Sequence, residues 1–274
     1  MPDARGLRHG ETLQWRAMAA GALLAVMLAG YLVAASRVRR KWPPVRTAAF
    51  VAGALVVAGA LVVDGRRSFT AHALQHLLLA MVAPALFALG APITLALQAG
   101  RGATRRRLLR VLHSRPAAVL CSPLVAWALF GGSMLALYLT PLYRMSLDNA
   151  VLHETLHVHF LVAGSCFFWP VLGADPLPRR LPHGARLLMV FLTIPFHAVL
   201  GIALLGARPL APEHTLADHR AGTGALWAAG DLLGLVAVLV VAFQWMGHEE
   251  RQAVREDRRA DEAARLAAGV ADPP

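Results

Sequence analysis

Residues 70–97 read TAHALQHLLLAMVAPALFALGAPITLAL, a run without Lys, Arg, Asp or Glu. An α-helix rises about 1.5 Å per residue, so about 20 apolar residues cross the roughly 30 Å hydrocarbon core of a membrane. This run therefore predicts a membrane-spanning helix. The composition of the whole chain agrees, because 57% of its 274 residues are hydrophobic and only 16% are charged. These proportions disfavour a soluble enzyme.

Six further apolar runs have the length of a membrane span. With residues 70–97 they predict an all-α fold, a polytopic bundle of seven transmembrane helices: 15–36, 47–63, 70–97, 118–139, 148–172, 185–206 and 222–246. The first run is too long for the apolar part of a signal peptide, and basic residues follow it directly. We thus expect an extracytoplasmic segment over 1–14, a membrane domain over 15–246 and a charged cytoplasmic tail over 247–274.

The charges predict how the bundle is oriented. The chain has 27 Lys and Arg against 16 Asp and Glu. The loops after the first, third and fifth runs, counted together with Arg186 at the start of the sixth run and with the C-terminal tail, hold 19 of the 27. By the positive-inside rule these loops are cytoplasmic, which places the N-terminus outside and the C-terminus inside. The basic charge therefore indicates orientation in a lipid bilayer rather than binding of nucleic acid, and the Ala- and Arg-rich composition suggests a bacterial plasma membrane.

Histidines concentrate at the predicted outer side of the bundle. His72 and His76 are one helical turn apart in the third span, and His153 and His157 repeat this spacing in the fifth. In spans six and seven, His197 and Asp231 reach a similar depth, roughly 13 Å below the outer end. An ionisable group inside a membrane costs about 2.5 kcal/mol or more, so such a set predicts a functional site.

Metal binding is the leading chemistry for this set, because neutral imidazole binds copper, zinc, iron and nickel. Met81 and Met145 lie on the same predicted side and offer soft thioethers that suit Cu(I), although each is also a common packing residue. Cys121 and Cys166 fall in the opposite half and are interpreted as small buried hydrophobes. The residues therefore predict a metal site without selecting one metal.

Two other chemistries remain open. His153-Glu154-Thr155-Leu156-His157 matches H-E-x-x-H, in which two histidines bind zinc and the glutamate activates water in a metalloprotease. In that case His72 and His76 would have no role. Histidines on two facing membrane helices can also hold haem iron. A haem site would leave Asp231 unexplained.

The motifs together resemble a known family. They are HALQH at 72–76 followed by MVAPA at 81–85, HETLHVHF at 153–160 with FWP at 168–170, DPLP at 175–178, PFHAVLG at 195–201, and Trp227 before Gly230-Asp231. This ordered set resembles the multispanning CtaG family of cytochrome c oxidase assembly factors, of the caa-type oxidase kind. The similarity extends over about residues 15–246.

The resemblance implies a seven-helix membrane protein that is not an enzyme. It implies maturation of a haem-copper oxidase, with copper delivered to the copper-receiving subunits. The positions that match the family motifs are those that spacing and depth select: His72, His76, His153, His157, His197 and Asp231. We interpret His219 as a loop residue, and His159 and His214 receive no role.

Overall fold

The computed structural model describes residues 4–38, 41–66, 68–173, 175–177 and 181–267. Throughout this part of the chain the regular structure is helical and contains no strand, which confirms the all-α prediction. One π-helical turn, Leu78–Val82, interrupts the α-helices. The α-helices are α1 Ala4–Arg37, α2 Pro44–Val62, α3 Phe69–Leu77, α4 Ala83–Gly90, α5 Pro92–Ala99, α6 Gly102–Leu112, α7 Arg115–Leu120, α8 Pro123–Leu139, α9 Leu142–Asp148, α10 Ala150–Leu172, α11 His183–Phe191, α12 Thr193–Leu205 and α13 Leu216–Ala267.

Six helical segments within the described residues are long and apolar enough to cross a membrane: Met18–Arg37, Pro44–Val62, Phe69–Ala99, Ala150–Leu172, His183–Leu205 and Leu216–Leu266. A seventh is reached when α8 and α9, which meet at an angle of 75°, count as one span. The predicted run 118–139 is divided, since α7 ends before Ser122 and Pro123 starts a new helix. A proline disfavours helical backbone at the residue before it, here Ser122, which accounts for the division.

The boundaries of several predicted spans also differ from the helices. Asp148 ends α9 and Asn149 caps α10 by accepting hydrogen bonds from two backbone amides, so the fifth span starts at Ala150. At the N-terminus α1 begins at Ala4, ahead of the predicted start at residue 15. Helix α13 continues past residue 246 as an exposed, charged helix to Ala267.

The third span is broken where α4 meets α5. Ala91 has φ of 49° and ψ of 51°, a left-handed conformation that is strained for a residue with a side chain. Two distant groups stabilise the break. Tyr31 donates a 2.7 Å hydrogen bond to the carbonyl of Gly90, and Asp175 accepts hydrogen bonds from the amides of Ile93 and Thr94. The polar backbone groups freed by the break are thus paired, as a membrane requires.

Helix α10 lies at the centre of the bundle. It packs against α4, the π-helical turn, α8 and α11, while α13 packs against α3, α12 and α11. Helix α1 is peripheral and contacts mainly α2 and α5. Helix α3 continues through the π-helical turn, which packs on α10, and the histidines of α3 face those in the first half of α10.

Candidate metal centre

Four of the predicted histidines form one cluster between α3 and α10. His72 and His76 are fully buried, and His153 and His157 are 4% and 5% exposed. The ring centroids of His72 and His153 are 5.3 Å apart, as are those of His76 and His157. Along each helix the two rings are 4.2 Å and 4.4 Å apart. We call these four residues the histidine cluster.

Close contact between α10 and the π-helical turn that follows α3 positions this cluster. Gly164 of α10 lies against the π-helical turn, where a Cβ atom would overlap the carbonyl oxygen of Ala80 and stand 2.8 Å from Pro84 Cγ. Gly164 is two helical turns beyond His157 and therefore on the same face of α10. Glycine at this point lets the helix axes approach, and the facing histidine pairs come within contact distance. π-Helical turns are rare and occur frequently beside functional sites.

Most ring nitrogens of the cluster are buried without a hydrogen-bond partner among the described residues. Both nitrogens of His72, both of His76, Nδ1 of His153 and Nε2 of His157 form no hydrogen bond within the described residues. A buried polar group without a partner costs about 1–3 kcal/mol, so several together require an explanation. One nitrogen from each of His72, His76 and His153 lies within 4.8 Å of the other two. Such a group could hold a metal ion.

Aromatic residues surround the cluster. The ring of Tyr143 meets His72 edge-on at 4.7 Å, and Phe160 meets His76 in the same way at 4.7 Å. Tyr143 and Phe160 are each 1% exposed. Their rings exclude water from the histidine nitrogens and limit the movement of the imidazoles.

A series of polar contacts extends from Tyr143 toward the end of the bundle. Its hydroxyl and Nε2 of His214 share a 2.8 Å hydrogen bond. Nδ1 of His214 lies 3.7 Å from a carboxylate oxygen of Asp218. Residues 142–148 and 206–219 therefore supply Tyr143, His214 and Asp218, which form a continuous chain of polar contacts beside the cluster. The sequence predicts no role for Tyr143, His214 or Asp218, because no regular spacing relates them to the other histidines.

His197 and Asp231 form a separate pair on α12 and α13. Nδ1 of His197 lies 3.7 Å from Oδ1 of Asp231, and Trp227 donates a 2.8 Å hydrogen bond to Oδ2 of the same carboxylate. Gly230 makes room for the imidazole, since a Cβ there would lie 2.7 Å from the ring. In the described part of the chain no ring contact joins His197 to the histidine cluster. The structure thus divides the six predicted residues into four and two.

His219 is not a loop residue, contrary to the sequence interpretation. It lies in the first turn of α13, is fully buried, and its Nε2–H donates a 2.9 Å hydrogen bond to the carbonyl of Leu204. Its ring also contacts Phe69. His219 therefore joins α12 to α13 and α3.

Glu154 of the H-E-x-x-H sequence lies beside the cluster. One of its carboxylate oxygens is 3.5 Å from Nδ1 of His157, and its side chain is 45% exposed. The two histidines of the motif face His72 and His76 of α3, so the four imidazoles act as one set. The geometry places Glu154 at the edge of that set.

The fold and the site define a class, that of polytopic helical membrane proteins with a buried histidine cluster between two packed helices. Residues 29–248 match the model of one family, the cytochrome c oxidase caa3 assembly factor family Caa3_CtaG. The chain belongs to this family, and the resemblance seen in its motifs is confirmed.

Similar proteins occur in mycobacteria. Uncharacterized proteins of Mycobacterium bovis and Mycobacterium tuberculosis are each 35% identical over 266 residues, which is 89% of this chain and 40% of the relative. One of Mycobacterium leprae is 35% identical over 267 residues, with 88% and 40% covered. The chain thus spans about two fifths of the length of these relatives. No solved structure matches it significantly.

Proposed function

We propose that this protein assists the assembly of a cytochrome c oxidase by binding copper at His72, His76, His153 and His157 and passing it to the copper-receiving subunits. The observation that carries the proposal is the set of buried ring nitrogens without hydrogen-bond partners. Histidine ligands must be deprotonated on the nitrogen that binds the metal, and each ring here has such a nitrogen free. Membership of an oxidase assembly family supports the oxidase as the recipient of the copper.

Copper is the metal that best combines the site with the family. Imidazole suits zinc, copper, iron and nickel, so the ligands alone do not select among them. Haem-copper oxidases contain copper centres that must be loaded during assembly. The close ring contacts within the cluster favour a single ion over a haem, because a porphyrin would have to separate His72 from His153 and displace Tyr143.

We propose a second station at His197 and Asp231. Nδ1 of His197 and Oδ1 of Asp231 face each other at 3.7 Å, and both are buried without a hydrogen-bond partner in the described residues. A single ion or water between them would satisfy both atoms. In this proposal the pair receives copper from the cluster or returns it, and is not part of the first binding site.

For the topology we propose seven membrane spans, with α8 and α9 together forming the fourth. The N-terminus is then outside and the C-terminus cytoplasmic, in a bacterial plasma membrane. The supporting observation is the concentration of Lys and Arg in alternate loops and in the tail. Because α3 and α10 begin at the outer side in this arrangement, the cluster takes up copper from outside the cell. We assign no catalytic reaction to the chain.

Metal analysis of the purified protein tests the copper proposal. The full chain is purified in mild detergent, loaded with copper, passed through a desalting column, and analysed for copper, zinc and iron. We expect about one copper per wild-type chain and none in a His72→Ala/His153→Ala variant. The matched control is His159→Ala, since His159 is a half-buried histidine of α10 that lies outside the cluster. It should keep the wild-type copper content.

The other outcomes each contradict the proposal in a different way. Zinc bound in place of copper, with peptide hydrolysis lost in Glu154→Gln, would indicate a metalloprotease. Iron with a haem absorption spectrum would indicate a cytochrome. Copper retained by the double variant would show that the cluster is not the binding site.

A further inference from the structure

A second polar site lies away from the histidine cluster, where α10 ends and α11 begins. A cavity of about 750 Å³ opens there, lined by residues of α2, α11 and α13 and of the segment around Asp175. We call it the basic pocket, because five of its lining side chains are arginine or histidine: Arg46, His183, Arg186, His248 and Arg251.

The one carboxylate among the described residues that line this pocket is already occupied. Asp175 accepts hydrogen bonds from the amides of Ile93 and Thr94, from the hydroxyl of Thr94 and from the indole of Trp169. These donors stabilise its negative charge inside the protein. Asp175 therefore serves the break between α4 and α5, and no other carboxylate among the described lining residues offers the arginines of the pocket a counter-charge.

Arg186 shows this lack of a counter-charge most clearly. Its side chain is only 6% exposed, and it donates hydrogen bonds to the carbonyl of Val171 and the side-chain oxygen of Gln244. Both acceptors are neutral. No carboxylate lies within ion-pair distance of Arg186 in the part of the chain that the structure describes. A buried cation without an anion is costly, so the pocket is suited to bind a negatively charged group.

An apolar cleft adjoins the basic pocket. It has a volume of about 500 Å³ and lies between α1 and α10, with α2, α4 and α5 behind it. Its residues are almost entirely apolar, and they include Tyr31 and Trp169. Because α1 packs mainly on α2 and α5, the cleft separates α1 from α10 on the outside of the bundle.

Aromatic residues connect the cleft to the pocket. Trp169 lines the cleft with its ring and donates a 2.9 Å hydrogen bond to Asp175 of the pocket. Tyr31 also lines the cleft and accepts a 3.0 Å hydrogen bond from Trp42, over whose ring the guanidinium of Arg46 lies at 5.0 Å. Trp and Tyr with one apolar and one polar side are typical of the boundary between hydrocarbon and headgroups.

We propose that the basic pocket and the apolar cleft together bind one anionic phospholipid. The phosphate lies among Arg46, Arg186 and Arg251, and an acyl chain occupies the cleft between α1 and α10. Charge complementarity selects the headgroup. The hydrogen bond between Trp169 of the cleft and Asp175 of the pocket places the two cavities side by side, which favours a ligand with both a charged end and a hydrocarbon chain. Basic pockets between membrane helices bind anionic headgroups for the same reason.

The headgroup half is tested by lipid titration followed by native mass spectrometry. The delipidated full chain in neutral detergent is titrated with phosphatidylglycerol and, separately, with phosphatidylcholine. We expect one tightly bound phosphatidylglycerol and at least about tenfold weaker binding of phosphatidylcholine. An Arg46→Gln/Arg251→Gln variant should lose this preference. The control Arg105→Gln/Arg106→Gln removes the same charge from exposed positions of α6 and should keep it.

The hydrocarbon half is tested with a pair of glycines on α1. Gly30 lines the cleft and Gly21 does not, and a Cβ at either position meets no atom within 4 Å. The Cβ of a larger residue therefore fits at either position without a clash. Gly30→Leu should reduce phosphatidylglycerol binding about tenfold by filling the cleft, whereas Gly21→Leu should leave it within twofold of wild type.

Inorganic phosphate separates a lipid site from a site for free phosphate. For the lipid, millimolar phosphate should compete weakly, and Gly30→Leu should impair lipid binding without affecting phosphate. Phosphate binding as tight as that of the lipid would overturn the proposal, as would equal affinity for phosphatidylcholine. Equal binding by Gly30→Leu and Gly21→Leu would overturn the assignment of the cleft. None of these results depends on copper, so the proposal stands or fails separately from the metal site.

Discussion

The carboxylate of Asp218, in the first turn of α13, accepts a 2.7 Å hydrogen bond from the backbone amide of Phe69 in the first turn of α3. Its other oxygen accepts hydrogen bonds from the amide and the hydroxyl of Thr70. The first amides of a helix have no partner within the helix, so Asp218 caps α3 from a distant part of the sequence. The cap lies one turn before His72 and fixes the helix that carries half of the cluster.

Replacing Asp218 should therefore loosen α3 at the histidine cluster. We expect Asp218→Ala to reduce the free energy of unfolding by about 1–2 kcal/mol, because it removes a cap and leaves two partly buried amides unpaired. Thermal unfolding in detergent, followed by circular dichroism, measures the change. Copper retention after desalting should fall as well.

Two further variants test whether the loss of stability comes from the loss of the cap. Asp218→Asn keeps an oxygen acceptor and should lose less stability than Asp218→Ala. Asp148→Ala removes an exposed aspartate at the end of α9 and should change little. Equal stability of Asp218→Ala and wild type would show that the cap is not needed.

The approach of α10 to the π-helical turn provides a second prediction. A Cβ at Gly164 overlaps the carbonyl of Ala80, so Gly164→Ala should push the helices apart and cost about 1–3 kcal/mol. The histidine pairs would separate with them, and copper binding should weaken. Gly132→Ala in α8 is the matched control, since its Cβ meets no atom within 4 Å and alanine favours a helix. A fall in stability for the control but not for Gly164→Ala would contradict the packing described here.

Variants of Tyr143 and His76 distinguish a residue that only packs beside the cluster from one that binds the metal. Tyr143→Phe keeps the ring that packs on His72 but removes the hydrogen bond to His214. We expect about 1 kcal/mol lower stability and an unchanged copper content. His76→Ala should instead lower the copper content although it leaves Tyr143 in place. Loss of copper in Tyr143→Phe would make the tyrosine hydroxyl part of the binding site.

His197 and Asp231 lie apart from the histidine cluster, which predicts whether the effects of mutations on the free energy of unfolding add. Side chains in contact show coupled effects on stability, whereas independent sites add. We expect His197→Ala and Asp231→Ala to be coupled by at least about 0.5 kcal/mol in a double-mutant cycle. His197→Ala and His76→Ala should instead be additive in unfolding free energy. Strong coupling between His197 and His76 would place them in one site.

The sequence predicts much of the fold, because membrane spans follow from the length of apolar runs. It does not predict the break at Ala91, where the chain takes a left-handed conformation before Pro92. That break depends on Tyr31 and Asp175, which lie 59 and 82 residues from the groups they pair with. Local pattern contains no information on such partners.

The candidate site was predictable in part for a geometric reason. Spacing of four residues places two histidines on one helix face, and the structure shows the two pairs facing each other. Depth along a helix, however, fixes height in the bundle and not position around it. His197 and Asp231 have a depth similar to that of the cluster, yet they lie on another pair of helices. Tyr143 was missed because only the 75° bend between α8 and α9 brings it over His72.

The proposed orientation predicts which loops a membrane-impermeant thiol reagent can reach. In a Cys121→Ser/Cys166→Ser background, Glu213→Cys lies in the loop before α13, and Glu250→Cys lies in its exposed charged part. We expect labelling of the first variant in intact cells and of the second only after the membrane is permeabilised, because an excess of Lys and Arg keeps the second side cytoplasmic. The unsubstituted background controls for other thiols. The reverse pattern would place the histidine cluster at the cytoplasmic side and remove uptake of copper from outside, while leaving the geometry of the cluster unchanged.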